Sequence, residues 1–266
     1  MNPFRESRQI DLNCDMGESR AALEDGTQEA LMPSFSSVNV ACGGHAGDET
    51  SMLVTVQKAA HYKLAVGAHP GYPDRENFGR LELDFPLDAV NHFVFQQVSA
   101  LARTAAGCGV LLAHVKPHGA LYNQAAKNRA LARAIADGVA RWSRHVVLVG
   151  LAGSPMLEVF QEAGFAVASE AFADRRYEPD GSLRSRKFPD ALIVDPGEAG
   201  RQALQVVERG TVTASDGSTV QVLAQTLCLH SDTPGASSIA KAVATTLRGA
   251  GIELRGLGGW PTLSLP

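Results

Sequence analysis

The 266 residues include 24 Lys and Arg against 28 Asp and Glu, a formal net charge of -4, with 45% hydrophobic and 20% charged residues. This is the balance of an ordinary globular protein, and it argues against nucleic acid or an anionic membrane as partner because no basic stretch could neutralise phosphates. No run approaches the roughly 18 apolar residues of a spanning helix. Residues 1–9 are polar with two Arg, so no leader is predicted and the expected location is the cytoplasm.

Residues 9–15 alternate strictly, a strand with Asp11, Asn13 and Asp15 on one face and Ile10, Leu12 and Cys14 on the other. Gly17 then ends it in a sharp loop. A second strand over 35–41 carries Asn39 into the glycine-rich segment 42–48, which holds His45 but lacks the Lys-Ser/Thr of a phosphate loop. Asp48 is placed to cap a helix beginning near Thr50, on which Leu53, Val56 and Ala60 recur. A third strand over 64–68 runs into a long loop, 69–80, punctuated by Pro and Gly and carrying His69 and Arg80. Loops of that length commonly fold over a ligand, although Asp74, Arg75 and Glu76 read as a solvated charge cluster. Val90, Val94, Gln97, Leu101 and Ala105 then mark one stripe of a long helix.

The stretch 111–123 is the centre of the chain. His114, Lys116 and His118 share one face of a strand, Pro117 interrupts its ladder, and Gly119 lets the chain turn into a helix at Ala120. Desolvating three such groups is costly unless something pairs or uses them, which makes this the expected catalytic strand. Substitution of Lys116 or His118 is expected to cost about 1 to 2 kcal/mol of stability, as ordinary replacements do. His145, at the start of a later strand, reads as structural.

A helix through Leu131 and Ile135 precedes an apolar strand at 145–149. A helix at 155–163 precedes a strand at 165–169, which closes on Glu170, Asp174 and Arg175. Residues 178–190 read as a polar loop, and a helix follows Pro196. Two short strands around Asp216-Gly217 form a hairpin over about 211–223. The last strand, 226–232, sets Cys228, His230 and Asp232 on one face before a helix opened by Pro234. Seven strand-helix repeats with polar groups at the strand ends describe an α/β protein, a parallel barrel whose site gathers at one mouth. One domain is expected over 1–266, with an irregular tail over about 256–266. Cys14, Cys42, Cys108 and Cys228 form no Cys-x-x-Cys pair and are expected to be reduced, with Cys42 a small buried hydrophobe sooner than a nucleophile.

Asp11-Leu12-Asn13-Cys14-Asp15-Met16-Gly17-Glu18, Asn39-Val40-Ala41-Cys42-Gly43-Gly44-His45, Gly67-Ala68-His69-Pro70-Gly71-Tyr72-Pro73-Asp74 and Lys116-Pro117-His118-Gly119 together resemble the LamB/YcsF family, also known as the A subunits of 5-oxoprolinase. Glu170-Ala171-Phe172-Ala173-Asp174-Arg175 and His230-Ser231-Asp232-Thr233-Pro234 extend the likeness to most of the chain. Ser231 stands where the family usually has Gly, and Leu81 where a second Arg is common. The resemblance implies a (β/α)7-type barrel similar to polysaccharide deacetylases. It also implies that the chain acts with subunits B and C to open 5-oxoproline to glutamate with ATP and Mg2+.

On that reading Lys116 or Arg80 holds developing negative charge, and His118, His69 or Asp15 activates water. Asn13 and Asn39 orient the ring, and Asp11, His45, Glu170, Asp174, Arg175, His230 and Asp232 complete the substrate contacts. The ATP step is expected on the partner subunits, because no Walker loop is present. Two alternatives stand beside it. One is a metal-dependent deacetylase-like hydrolase with ligands among Asp15, His45, His69, His118 and His230. The other is a noncatalytic component that binds 5-oxoproline and presents it to partners.

Overall fold

A computed structural model describes residues 8–258. The alternating first segment is β1 (Gln9–Met16), followed by two short helices, α1 (Arg20–Glu24) and α2 (Thr27–Leu31). Strand and helix then alternate: β2 (Ser37–Ala41), α3 (Glu49–His61), β3 (Ala65–His69), α4 (Leu87–Gly107) and β4 (Leu112–Val115). Two helices, α5 (Gly119–Ala125) and α6 (Arg129–Ala140), lead to β5 (Val147–Leu151), α7 (Pro155–Glu162) and β6 (Ala166–Phe172). After α8 (Pro196–Arg209) come the antiparallel pair β7 (Thr211–Thr213) and β8 (Thr219–Gln221), then β9 (Thr226–Leu229), α9 (Ala236–Gly249) and β10 (Glu253–Leu254).

Strands β1 to β6 pair in sequence order, all parallel, and β9 pairs with both β6 and β1. The sheet therefore closes on itself as a seven-stranded barrel, which removes the exposed edges an open sheet would leave. The expected stripe of α4 is buried at Val90, Val94, Gln97, Leu101 and Ala105. Asp48 caps α3 through a reciprocal pair of bonds with Ser51, so its short side chain is occupied by the helix end. The hairpin stands apart from the barrel as a two-stranded sheet around Gly217, whose φ is +85°. No helix among the described residues is long and apolar enough to cross a membrane.

Several boundaries differ from expectation: β4 ends at Val115, so Lys116 and His118 lie just beyond the strand, and β9 ends at Leu229, before His230 and Asp232. Strand β5 begins two residues later than expected, and β6 runs on to Phe172 because Glu170, Ala171 and Phe172 stay paired with Thr226, Leu227 and Cys228. Glu170 thus lies in a strand and not in the loop after it. The pairing of β3 with β4 skips Ala113, a bulge that turns Leu112 outward while Gly67 faces His114. Residues 256–258, the described part of the tail, follow β10 with no regular secondary structure. Strand β10 pairs with Gln9 and Ile10, and Leu257 beyond it packs against Val149 and Ala168. Residues 259–266 lie outside the described residues.

The outer faces of the strands are apolar and meet the helices: Leu12, Val38, Val66, Val115 and Leu148 join Val56, Leu101, Ile135, Phe160 and Val243 in one buried cluster. The inner face is polar. Asp11, Asn13, Asp15, Ser37, Asn39, His114, Lys116, Glu170 and Thr226 are all buried, a set that is stable only when its members satisfy one another.

Candidate active site

The lowest layer inside the barrel is centred on Asp11. Its carboxylate accepts from the hydroxyls of Ser36 (2.7 Å), Ser37 (2.8 Å) and Thr226 (2.5 Å). Burial pushes its pKa up to about 6 against the lowering effect of those three bonds. Above it, the Asn13 amide donates to Thr226 Oγ1 (2.6 Å) and Glu170 Oε1 (3.1 Å). Asn39 donates to Asn13 Oδ1 (2.7 Å) and Asp15 Oδ1 (2.8 Å), and its own amide oxygen accepts from His114 Nε2 (2.7 Å). Burial and the nearby Lys116 ammonium depress the His114 ring to about 3, so it stays neutral. Gly67 makes that ring possible, since a Cβ there would lie 2.1 Å from His114 Nε2.

Lys116 sits at the centre of the next layer. Its Nζ lies 3.0 Å from Asp15 Oδ1, 3.0 Å from Glu170 Oε1, 3.1 Å from Cys228 Sγ and 3.3 Å from Asn13 Oδ1. Burial favours the neutral amine, but Asp15, Cys228 and Glu170 outweigh it and hold the ammonium well above the usual lysine value. Burial likewise opposes the charge on Asp15, yet the His69 ring in its protonated form and the Lys116 ammonium keep its carboxyl well below the usual carboxylate range. Burial and the Glu170 carboxylate push the Tyr122 phenol upward. A fixed positive charge is thus held at the bottom of the mouth by two carboxylates.

A layer of three imidazoles closes the floor. His69 donates from Nδ1 to the Lys116 carbonyl (2.7 Å), leaving Nε2 directed at Asp15 Oδ2 (3.3 Å) and His118 Nδ1 (3.0 Å). His118 donates from Nε2 to the Phe78 carbonyl (2.9 Å). His45 stacks on His118 with centroids 3.5 Å apart, and its Nε2 lies 2.9 Å from Glu18 Oε1. Burial and neighbouring imidazoles lower both His45 and His118, while burial and Asp15 raise Glu18. The loop above is tightly fitted. Phe78 has φ +55°, and Gly79, at φ +62°, would carry a Cβ 2.7 Å from that of His45.

The mouth opens into a cavity of about 780 Å³. Asp15, Glu18, His69, Lys116 and His118 form its floor, Tyr122 and Phe172 its wall, and Arg80, Arg175, Arg186, Lys187, His230 and Asp232 its upper part. Arg80 and Arg186 share Asp232 Oδ2 at 2.6 and 3.3 Å. Asp174 lies behind them, accepting from the His230 backbone N–H (3.0 Å) and from Thr233 Oγ1 (2.7 Å). Of the residues expected to contact substrate, Asp11, Asn13, Asn39, His45, Glu170 and Asp174 do not line this cavity; all but Asp11, whose partners are Ser36, Ser37 and Thr226, touch groups that do. A second depression of about 700 Å³, between α4 and α6, lies away from the barrel mouth and is lined by Asp88, His92, Arg133 and Asp137.

Residues 10–261 match the LamB/YcsF family. A protein from Chloroflexus aggregans, named as the A subunit of 5-oxoprolinase, is 49% identical over 246 residues, covering 92% of this chain and 98% of the relative. This chain belongs to the LamB/YcsF family. Its barrel superposes on the crystal structure of the lactam utilization protein of Thermus thermophilus with a TM-score of 0.87 at 43% identity, covering 93% of this chain and 99% of the other. A more distant likeness, to T48 deacetylase, has a TM-score of 0.51 at 14% identity, with 96% and 90% covered, and concerns the fold alone.

The two departures from the LamB/YcsF pattern can be placed. Ser231 Oγ donates to the Asp15 carbonyl (3.2 Å), and Leu81 is half exposed at the cavity. Glu18 is not among the expected site residues, although it lies three positions after Asp15, beyond Gly17, whose φ of +77° turns the chain across the mouth. Cys42 is buried and burial raises its thiol to about 12, which leaves no thiolate at neutral pH.

Proposed function

We propose that this chain is the A subunit of an ATP-dependent 5-oxoprolinase. With subunits B and C it would open the lactam of 5-oxoproline to L-glutamate in the cytoplasm. The observation that carries this reading is the 49% identity, over almost the full length of both chains, with a relative of that name. An unactivated lactam resists water because its nitrogen donates into the carbonyl. Phosphorylation of that oxygen by ATP with Mg2+, on the partner subunits, gives an O-phosphorylated imidate whose carbon water can attack; the C–N bond then breaks as the nitrogen takes up a proton, and a second water hydrolyses the resulting acyl phosphate to glutamate and phosphate.

The cavity offers groups for such a substrate. The arginines of its upper part suit the carboxylate and phosphoryl charges. The Lys116 ammonium, held in advance between Asp15 and Glu170, would face the negative charge that develops on the activated group, with no reorganisation needed during reaction. The attacking water would lose its proton to the cluster of Asp15, Glu18, His69 and His118 on the floor. A sugar deacetylase reading has behind it the shared barrel and a cluster of His and carboxylate groups at the mouth, but no relative of comparable identity. The test is to purify this chain from a host lacking the partner genes and measure glutamate and phosphate with ATP, Mg2+ and 5-oxoproline, alone and after adding B and C. Product only in the mixture is expected; multiple turnovers by the lone chain, or none in the mixture, would overturn the proposal.

A further inference from the structure

The hydrogen bonds of the floor set two imidazoles against each other whenever both rings are neutral. The Lys116 carbonyl can only accept, so the proton on His69 sits at Nδ1; the Phe78 carbonyl likewise fixes the proton of His118 at Nε2. In neutral rings this turns two lone pairs, His69 Nε2 and His118 Nδ1, toward each other at 3.0 Å. Two carboxylates face the same point: Asp15 Oδ2 is 3.3 Å from His69 Nε2, and Glu18 Oε1 is 3.3 Å from His118 Nδ1 and 3.9 Å from His69 Nε2. Four electron pairs converge with nothing positive between them.

We infer that His69 Nε2, His118 Nδ1, Asp15 and Glu18 form a binding site for a divalent transition-metal ion of the zinc class. Donors about 2.0 to 2.1 Å from a tetrahedral ion stand about 3.3 Å apart, which is the spacing found along two of the measured edges, with the others at 3.0 and 3.9 Å. Two imidazoles with carboxylates select such an ion over Mg2+ or Ca2+, which take all-oxygen sets. Each imidazole also donates its other N–H to a backbone carbonyl, the outer support that fixes a metal-binding tautomer. For His118 that carbonyl belongs to Phe78, whose positive φ turns it toward the ring. His45 completes the support by placing Nε2 against Glu18, with its Nδ1 left buried and without a partner. An ion here would supply Lewis-acid chemistry beside Lys116.

The experiment uses the chain alone, without partners, ATP or 5-oxoproline, so its failure leaves the 5-oxoprolinase reading standing. Chelator-treated protein is titrated calorimetrically with zinc and, separately, with cobalt followed by its visible spectrum. One ion per chain is expected, with the intense bands of four-coordinate cobalt. Affinity should fall about 100-fold or more in His69→Ala and His118→Ala and stay unchanged in His145→Gln. No saturable binding by the wild-type chain would overturn the inference and assign the gap between the imidazoles to a shared proton. Retained affinity in both folded alanine variants would overturn it equally. Should those variants not fold, Glu18→Gln and the rise in wild-type melting temperature on adding zinc decide the matter, an unchanged temperature counting against it.

Discussion

Lys116→Met nearly preserves side-chain volume but removes the ammonium from between two buried carboxylates, each 3.0 Å from it. Removing one partner of a buried ion pair costs about 3 to 5 kcal/mol, because the other charge is left uncompensated in a poor solvent. Here Asp15 and Glu170 lose the same partner. We therefore expect a loss of about 3 to 5 kcal/mol near neutral pH, well above the 1 to 2 kcal/mol of an ordinary replacement. The loss should depend on pH with a definite sign. In the wild type Asp15 is held well below the usual carboxylate range, so its contribution is intact throughout the mildly acidic range and fades only as pH falls through that depressed value. In the variant the same carboxyl rises. Its folded form then binds protons that the unfolded chain, titrating near about 4, does not yet bind, and the variant recovers stability as pH falls. Urea unfolding followed by circular dichroism at about pH 7 and about pH 5 measures both effects. A gap below about 1 kcal/mol at the higher pH, or one that stays constant between the two, would refute the electrostatic account of this layer.

Asp11 titrates in the opposite sense: with its pKa raised to about 6, its contribution is fully present below about 4 and is lost as pH rises through 6, a change of roughly 3 kcal/mol that Asp11→Asn should remove from the stability profile. The same slope in wild type and variant would refute it. Gly79→Ala must place a Cβ against His45 from a positive φ, so a loss of about 1 to 3 kcal/mol is expected by thermal melting, and an unchanged melting temperature would contradict the packing described. Cys14, Cys42 and Cys228 are buried while Cys108 is only partly so. Mass spectrometry after brief thiol labelling of the native chain should find modification at Cys108 alone, and label on Cys42 would show that burial does not protect it.

Much of the barrel can be read from alternation, because strand periodicity and barrel geometry obey the same rule. Asp11, Asn13 and Asp15 share a face in the sequence and an interior in the structure; His114, Lys116 and His118 are all buried too, although the strand ends at Val115 and His118 is the N-cap residue of the next helix. What alternation does not encode is which groups meet across the barrel. Glu170 reads as a loop residue when a strand is taken to end where its apolar run ends, whereas pairing with β9 carries it inside, against Lys116. Glu18 follows a turn and so has no periodic signature; only the fold of the chain over the mouth brings it to the imidazoles. The low stability cost expected for replacing Lys116 takes no account of two carboxylates that are distant in sequence and 3.0 Å away in the fold, which is why a larger cost is predicted here. Strand β10 is two residues long, too short for any pattern, and exists because the start of β1 has an open side.

The central claim is that this mouth opens an activated lactam, with Lys116 facing the charge that develops. The most direct measurement is glutamate formation from 5-oxoproline and ATP by the chain reconstituted with subunits B and C, comparing wild type, Lys116→Met and His145→Gln, each shown to be folded under the assay conditions. Near-wild-type turnover in His145→Gln with a loss of about 100-fold or more in Lys116→Met is the predicted result. Full turnover by folded Lys116→Met would contradict it.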